Sequence, residues 1–121
     1  MASRNDANSV SSSSSTDTPV HVEEHTDLDD IVASNQVVLA DFHAEWCGPC
    51  KMLEPIVEEL AAETPVTVAK VDVDEFPTLA GSYQVQGVPT MVLFADGEMV
   101  ERIVGLRDKS TLETLINQHA N

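Results

Sequence analysis

Trp46-Cys47-Gly48-Pro49-Cys50-Lys51 is the stretch that decides the fold, since it holds both cysteines of the chain and separates two regular elements. Residues 37–42, before it, form an almost continuous apolar run, which is typical of a strand covered on both faces. Residues 52–63, after it, carry apolar side chains at helical spacing, and Met52 is among those predicted to face inward. The pattern predicts a strand, a short turn and a helix that begins at the cysteines.

The start of a helix favours ionised sulfur. The leading N–H groups of a helix have no intrahelical partner and carry partial positive charge. A thiol placed there loses its proton below its ordinary pKa of about 8.5. We expect Cys47 where the helix begins and Cys50 in its first turn, on one helical face, where the two sulfurs can form a disulfide. The expected chemistry is reversible dithiol–disulfide exchange, which requires a first sulfur that is acidic and reachable.

The segment Ala40-Asp41-Phe42-His43-Ala44-Glu45-Trp46-Cys47-Gly48-Pro49-Cys50-Lys51 closely resembles the active-site segment of the thioredoxin family. The resemblance extends from about Val20 to the C-terminus and includes Gly87-Val88-Pro89-Thr90. A CxxC pair alone is a weak signal, whereas WCGPCK after a buried strand, together with this later motif, is a strong one. The resemblance implies an α/β protein with the thioredoxin fold, a central mixed sheet of about five strands flanked by four helices.

The resemblance also implies how the cysteines work as a protein-disulfide reductase and electron carrier. Cys47 attacks a substrate disulfide as thiolate, and Cys50 then displaces the reduced product. Gly48 and Pro49, between the cysteines, are similar to the residues of the reducing members of the superfamily. No cofactor is expected besides the redox-active Cys47–Cys50 disulfide. The expected partners are disulfide-containing proteins and a separate thioredoxin reductase, a flavoprotein in the family.

Asp41 interrupts the buried apolar strand, and a buried carboxylate needs a raised pKa or a partner. From the residues alone, a strand-end Asp that reaches water is the simpler interpretation. The resemblance implies instead a buried carboxyl group beneath the disulfide that takes the proton from the second cysteine. Lys70 matches a family lysine near that carboxyl group, although a solvated strand lysine fits the pattern equally well.

The resemblance implies a surface for substrate proteins formed by Trp46, Val88, Pro89 and Gly105. The pattern alone favours a trans bond before Pro89, whereas the resemblance implies a cis bond that faces the CxxC. The backbone of Val88 would then pair with an extended substrate segment as an added strand. Gly105 marks a bend near this surface in the family.

His43 stands where most thioredoxins carry a second tryptophan. It is either a surface histidine tolerated beside the active helix or a modulating residue. In the second interpretation, protonated His43 favours the Cys47 thiolate and makes activity pH-dependent below about 7.

Residues 1–19 differ from the rest, because they contain five consecutive serines at 11–15 and few apolar side chains. They are predicted to be a flexible Ser-rich tail. An organellar transit peptide would be Arg-rich, and this segment has Arg4 alone. Residues 20–121 are predicted to form one domain. The absence of a secretory pattern and of a membrane-length apolar run predicts a cytoplasmic protein that does not enter membranes, and we expect a monomer.

The chain carries 6 Lys and Arg against 21 Asp and Glu, a formal net charge of −15. Such a surface repels phosphate backbones, so nucleic acid is not an expected partner. It also repels itself, and salt screens that repulsion. We therefore interpret the charge as adaptation to a high-salt cytoplasm. The alternative is the ordinary acidity of this kind of domain.

Three further patterns predict the remaining elements. Residues 66–73 predict a strand parallel to the one before the cysteines, reached by a right-handed crossover. Asp96-Gly97 predicts a hairpin turn between residues 91–94 and 99–104. Ser110-Thr111-Leu112-Glu113 matches a capping box that opens the last helix.

Two other functions remain open at this point. One is an oxidase or isomerase of the same superfamily. The other is a non-catalytic module in which the two thiolates bind zinc, which generally needs four ligands in a structural site. Asp72-x-Asp74-Glu75 hints at a calcium loop, but Pro77 stands where that loop requires glycine, so no metal site is predicted.

Overall fold

The structure is a computed structural model that describes residues 17–120. Residues 1–16 of the Ser-rich tail, which is predicted for residues 1–19, lie outside the described residues. The described chain forms five strands and four helices: β1 (Val20–His21), α1 (Asp27–Ser34), β2 (Val37–His43), α2 (Gly48–Glu63), β3 (Thr67–Asp72), α3 (Pro77–Ser82), β4 (Thr90–Ala95), β5 (Glu98–Val104) and α4 (Lys109–His119).

The five strands form one mixed sheet in the order β1-β3-β2-β4-β5. The pairs β1–β3 and β2–β3 are parallel, while β2–β4 and β4–β5 are antiparallel. The predicted parallel strand and the predicted hairpin are both confirmed. Asp96 and Gly97 adopt φ values of 54° and 86°, the positive values that a tight hairpin turn requires at both central positions.

Two apolar layers cover the sheet, and the alternation of side chains along β2 assigns residues to them. Val37 and Leu39 pack with α2 and α4, whereas Val38, Ala40 and Phe42 pack with α1 and α3. By the same alternation, Asp41 and His43 continue the face that α2 covers. The polar end of β2 therefore lies on the side of the sheet where α2 begins.

Two local predictions are wrong. Met52 is exposed at 63%, because the buried stripe of α2 follows Leu53, Val57 and Leu60, one position further along the helix. The last helix begins at Lys109, and its N-cap is Asp108, whose side chain accepts the N–H of Thr111 at 3.0 Å. The side chain of Asp108, two residues before Ser110, therefore caps the helix in place of the predicted capping box.

Helix α2 runs without a break through Pro55. A proline inside a helical pattern can divide it into two helices, and Pro55 does not do so here. Among residues 17–120, none of the helices combines the length and the apolar character that a membrane span requires.

Candidate active site

The N-terminus of α2 carries Cys47 and Cys50, which form a disulfide with Cα atoms 5.3 Å apart. Cys47 is the N-cap residue, and its Sγ accepts the backbone N–H of Cys50 at 3.2 Å. Gly48 and Pro49 occupy the first helical positions and are exposed. Proline costs no helical hydrogen bond there, because its missing N–H would have no intrahelical acceptor. The Cys47 sulfur thus lies at the positive end of the helix and accepts a backbone N–H, and both features favour its thiolate.

Burial does not distinguish the two cysteines. Each is 4% exposed, and together with Ala44 they form a small apolar cluster against which Val73 and Val88 pack. We expect the first sulfur to be reachable from solvent, but in this oxidised form Cys47 is as buried as Cys50. What separates Cys47 from Cys50 is its place at the helix N-cap, where it accepts a hydrogen bond from the backbone.

The ends of β2 and β3 and the start of β4 lie at one edge of the sheet. Strands β2 and β3 are parallel and end together, with the N–H of Val73 donating to the carbonyl oxygen of His43 at 2.9 Å. Strand β4 runs antiparallel to β2, so its first residue, Thr90, pairs with Phe42 at that edge. The Val88–Pro89 segment before β4 therefore reaches the cysteines, which explains the contact of Val88 with their cluster.

Asp41 and Lys70 are aligned neighbours on β2 and β3, and both are buried. Asp41 is 1% exposed and Lys70 is 7% exposed, with 3.7 Å between Asp41 Oδ2 and Lys70 Nζ. Neither carboxylate oxygen of Asp41 accepts a hydrogen bond from a described residue. The two simpler interpretations, a strand-end Asp that reaches water and a solvated Lys70, are therefore wrong.

Burial raises the pKa of Asp41 from its ordinary 3.8 to about 6. The positive charge of Lys70 opposes this rise, and the negative charge of Glu54 adds to it by a smaller amount. Desolvation therefore outweighs the attraction of the nearby ammonium group. A carboxyl group with this pKa is mostly ionised at pH 7 yet close enough to titration to accept and return a proton.

His43 lies at the end of β2 and is half-buried, which is compatible with a surface histidine beside the active helix. Burial is the main cause that lowers the pKa of His43 below its ordinary 6.5, and the charge of Lys70 lowers it further. Protonated His43 therefore becomes abundant only at acidic pH. Any influence of that form on Cys47 is confined to this range.

Trp46 is the most prominent apolar group at this edge, with 71% of its surface exposed. Its indole Nε1 donates a hydrogen bond to Asp74 Oδ2 at 2.8 Å, which fixes the orientation of the ring. The ring borders a shallow groove of about 110 Å³, lined by Trp46, Val73, Val85, Gln86, Gly87 and Val88. An apolar groove therefore runs beside the disulfide.

Pro89 and Gly105 are joined next to this groove. The Val88–Pro89 peptide bond is cis, as the resemblance implies, and Pro89 is buried. The N–H of Gly105 donates to the carbonyl oxygen of Pro89 at 2.8 Å. Gly105 has a φ of 93°, a left-handed conformation that favours glycine, so a side chain there would be strained.

Two residues at this edge escape prediction from the sequence. Asp74 orients Trp46 from 28 positions away, and Glu54 places Oε2 at 3.9 Å from Lys70 Nζ. Asp74 stands out in the sequence solely as part of a suspected calcium loop. Asp72 instead closes that turn itself, since its Oδ1 accepts the N–H groups of Asp74 and Glu75. Within residues 17–120, no group of three or more His, Cys, Asp or Glu side chains is arranged to hold a metal ion.

Comparison with known proteins agrees with this geometry. The family model for thioredoxin matches residues 19–118. A thioredoxin of Chlamydia trachomatis is 54% identical over 101 residues, which cover 83% of this chain and 98% of that protein. A bifunctional thioredoxin reductase/thioredoxin of Mycobacterium leprae is 52% identical over 85 residues, which cover 69% of this chain and 19% of that protein.

Among solved structures, that of a mutant thioredoxin from Halobacterium salinarum NRC-1 is 55% identical, with a TM-score of 0.87. The match covers 91% of this chain and 97% of that chain. The family model spans most of the sequence, and the cysteine pair is placed at disulfide distance. The chain therefore belongs to the thioredoxin family and is a protein-disulfide oxidoreductase that works by dithiol–disulfide exchange through Cys47 and Cys50.

Proposed function

We propose that Cys47 is the attacking sulfur and Cys50 the resolving one. The main support for this assignment is the hydrogen bond from the Cys50 N–H to the Cys47 sulfur at the N-cap of α2. The Cys47 thiolate attacks one sulfur of a substrate disulfide, forms a mixed disulfide and releases a substrate thiolate, which takes up a proton. Cys50 then loses its proton and attacks the Cys47 sulfur, which releases the second substrate thiol. Two electrons pass from the dithiol to the substrate.

Reduction of insulin with dithiothreitol as donor tests these roles. Cys47→Ser abolishes the turbidity that wild-type protein produces, because no nucleophile remains to form the mixed disulfide. Cys50→Ser still forms the mixed disulfide but cannot resolve it, so a covalent adduct accumulates on a non-reducing gel. Wild-type activity in Cys47→Ser, or an adduct formed through Cys50, would contradict the assignment. Equilibration with glutathione separates a reductase from an oxidase or isomerase, since an oxidant stays reduced at ordinary glutathione poise.

Asp41 is proposed as the group that takes the proton from Cys50. Its burial and its pKa of about 6 support the proposal, because its carboxylate can accept a proton at neutral pH and return it to solvent. Asp41→Asn removes this acceptor and slows the release of reduced substrate. Stopped-flow fluorescence of Trp46, the one tryptophan of the chain, follows this step. Equal release rates in wild type and Asp41→Asn from pH 6 to 9 would remove Asp41 from the mechanism.

The groove beside Trp46 is proposed as the place where substrate proteins dock. An exposed aromatic ring, an apolar groove and the adjacent Val88 support this role. The backbone N–H and C=O of Val88 would pair with an extended substrate segment, which gives affinity without reading its side chains. Asp74→Ala releases the Trp46 ring and raises the KM for insulin more than it changes kcat. An unchanged KM would contradict this docking site.

A reductase must return two electrons and two protons to the disulfide after each cycle. The Mycobacterium leprae relative, named as a fusion of a thioredoxin reductase and a thioredoxin, supports a thioredoxin reductase as the partner. We further propose a monomer that acts in the cytoplasm of a halophilic organism. The net charge of −15 and the likeness to a Halobacterium salinarum protein support the halophilic part. The molar mass from sedimentation in molar KCl tests whether the protein is a monomer. The dependence of the Tm on KCl concentration tests whether it is adapted to high salt.

A further inference from the structure

Lys70 contacts two carboxylates that differ in their access to water. Its Nζ lies 3.7 Å from Asp41 Oδ2 and 3.9 Å from Glu54 Oε2. Asp41 is 1% exposed, whereas Glu54 is 52% exposed. The lysine thus joins a carboxyl group inside the fold to one at its surface.

Helix geometry places Glu54 close to the reacting sulfurs. It follows Cys50 by four positions in α2, so the two residues are neighbours on the helix surface. Cys50 is the sulfur that must lose a proton before it can attack. The Glu54 carboxylate, through Lys70, therefore connects the helix that carries Cys50 to the strand that carries Asp41.

The ammonium group of Lys70 is held between the two carboxylates and does not bind tightly to either. Hydrogen bonds between ammonium and carboxylate groups are about 2.7 to 2.9 Å long. Both distances to Lys70 Nζ exceed this range. A lysine bound directly to Asp41 would stabilise its ionised form more strongly, and Asp41 would then be a weaker proton acceptor.

Other charged groups surround this lysine from each neighbouring element. A groove of about 510 Å³ on one side is lined by His21 of β1, His43 of β2, Asp72 of β3 and Lys51 and Glu54 of α2, together with Lys70. The connecting segments add Glu23, Glu45 and Glu75 to this lining. A second groove is lined by Asp17 and Glu58 as well as Glu54 and Lys70. Of the charged side chains that line these grooves, Glu54 lies within ion-pair distance of Lys70 in the described chain, and the other ion-pair partner of Lys70 is the buried Asp41.

We propose that Glu54 is a positioning residue for the exchange reaction, holding Lys70 away from a direct hydrogen bond with Asp41 so that Asp41 can take up and return a proton. The inference rests on the proposed role of Asp41. The negative charge of Glu54 acts in the same direction, because it opposes ionisation of Asp41. The residue acts through Lys70, its ion-pair partner.

Glu54→Gln tests the inference, with Glu58→Gln as the matched control. Both variants remove one negative charge from exposed positions of α2, one helical turn apart, and Glu58 forms no ion pair with Lys70 in the described chain. The measurement is a ¹³C NMR titration of the Asp41 carboxyl carbon in reduced and oxidised protein. The pH profile of the resolving step, followed by Trp46 fluorescence, is the second readout.

In Glu54→Gln we expect the Asp41 midpoint to fall by roughly 0.2 to 0.7 pH units, the shift that a partly exposed charge pair produces. The inflection of the resolving step moves by the same amount. Glu58→Gln leaves both in place. An unchanged or higher midpoint in Glu54→Gln overturns the inference, and so does an equal shift in Glu58→Gln, which would reflect net charge alone.

Asp41→Asn separates failure of the inference from failure of the proposed function. If Asp41→Asn leaves the pH profile of the resolving step unchanged, Asp41 has no role in proton transfer and both fail. If it removes the inflection while Glu54→Gln does not move it, Asp41 keeps its role and the inference about Glu54 alone is wrong.

Discussion

Lys70 and Lys109 each bridge two carboxylates, and they differ in depth. Lys109 Nζ lies 2.6 Å from Glu63 and 3.2 Å from Glu59, with 32% of the lysine exposed. Lys70 is 7% exposed, and its carboxylate contacts are longer, at 3.7 and 3.9 Å. By distance alone, Lys109 would be the stronger ion pair. Burial reverses that order, because water and salt screen exposed pairs while a buried charge depends on its partner.

The pKa directions express the same contrast. Hydrogen bonds with Glu63 and then Glu59 raise the pKa of Lys109, which merely strengthens a charge already present at neutral pH. Burial raises the pKa of Asp41 to about 6 in spite of Lys70. Lys109 joins the start of α4 to α2, whereas Lys70 lies against the buried carboxyl group that we propose as a proton acceptor. Four predictions, in order of expected effect, test this comparison.

Lys70→Met has the largest expected effect. Without the ammonium group, ionised Asp41 has no buried partner, and its pKa rises further above 6. We expect a loss of about 3 kcal/mol in the free energy of unfolding at pH 8 and little loss at pH 5, where Asp41 is protonated in the folded state. Urea unfolding at the two pH values measures it. Equal losses at both would show that Lys70 contributes packing and no charge.

Asp41→Asn is expected to act in the opposite direction. The pKa of Asp41 is higher in the folded state than in the unfolded state. The contribution of Asp41 to the free energy of unfolding is therefore greatest below pH 3.8 and falls as the pH rises through about 6. Asparagine removes this penalty and raises the free energy of unfolding by about 2 kcal/mol at pH 8. The full pKa shift corresponds to about 3 kcal/mol, and Lys70 loses a partner. The gain disappears near pH 4, and a gain independent of pH would contradict the assigned pKa.

Salt is the third test. The net charge of −15 predicts self-repulsion, and at 1 M salt the Debye length is about 3 Å. We expect the Tm to rise by roughly 5 °C or more between low and molar KCl, which corresponds to about 1 kcal/mol in a domain of this size. Calorimetry measures the change. A Tm that does not rise would remove the halophilic interpretation.

Lys109→Met should have the smallest effect. The lysine and both glutamates are solvated, so we expect a slight fall in Tm at low salt and none in molar KCl. It serves as the control for Lys70→Met, whose loss at pH 8 persists in molar KCl because its pair with Asp41 is buried. If Lys109→Met lowered the stability more than Lys70→Met, the contribution of these ion pairs would depend on their distances and not on their burial.

Much of the fold could be predicted because its signals are local. The apolar run of β2 and the Asp96-Gly97 turn each depend on neighbouring residues, and both are confirmed. Local signals also explain the errors. Helical spacing alone does not fix which face of α2 is buried, so the inward position predicted for Met52 is wrong. Asp108 and Ser110 are both suitable capping residues before α4, and Asp108 is the one used.

The candidate site also contains features that local sequence predicts and contacts that it does not. The cysteine positions follow from a local motif, and the resemblance implied the pairing of Asp41 with Lys70. The contacts of Asp74 with Trp46 and of Glu54 with Lys70 join residues far apart in the sequence, and no local pattern predicts them. They arise because β2, β3 and the start of α2 meet at one edge of the sheet.

The most direct test of the account is the pH dependence of iodoacetamide labelling in the reduced protein, read at each cysteine by mass spectrometry. The helix N-terminus should make Cys47 the more acidic thiol, so Cys47 is labelled first, with a midpoint below the ordinary value of about 8.5. Labelling of Cys47 and Cys50 at the same slow rate, with midpoints near about 8.5, would contradict it.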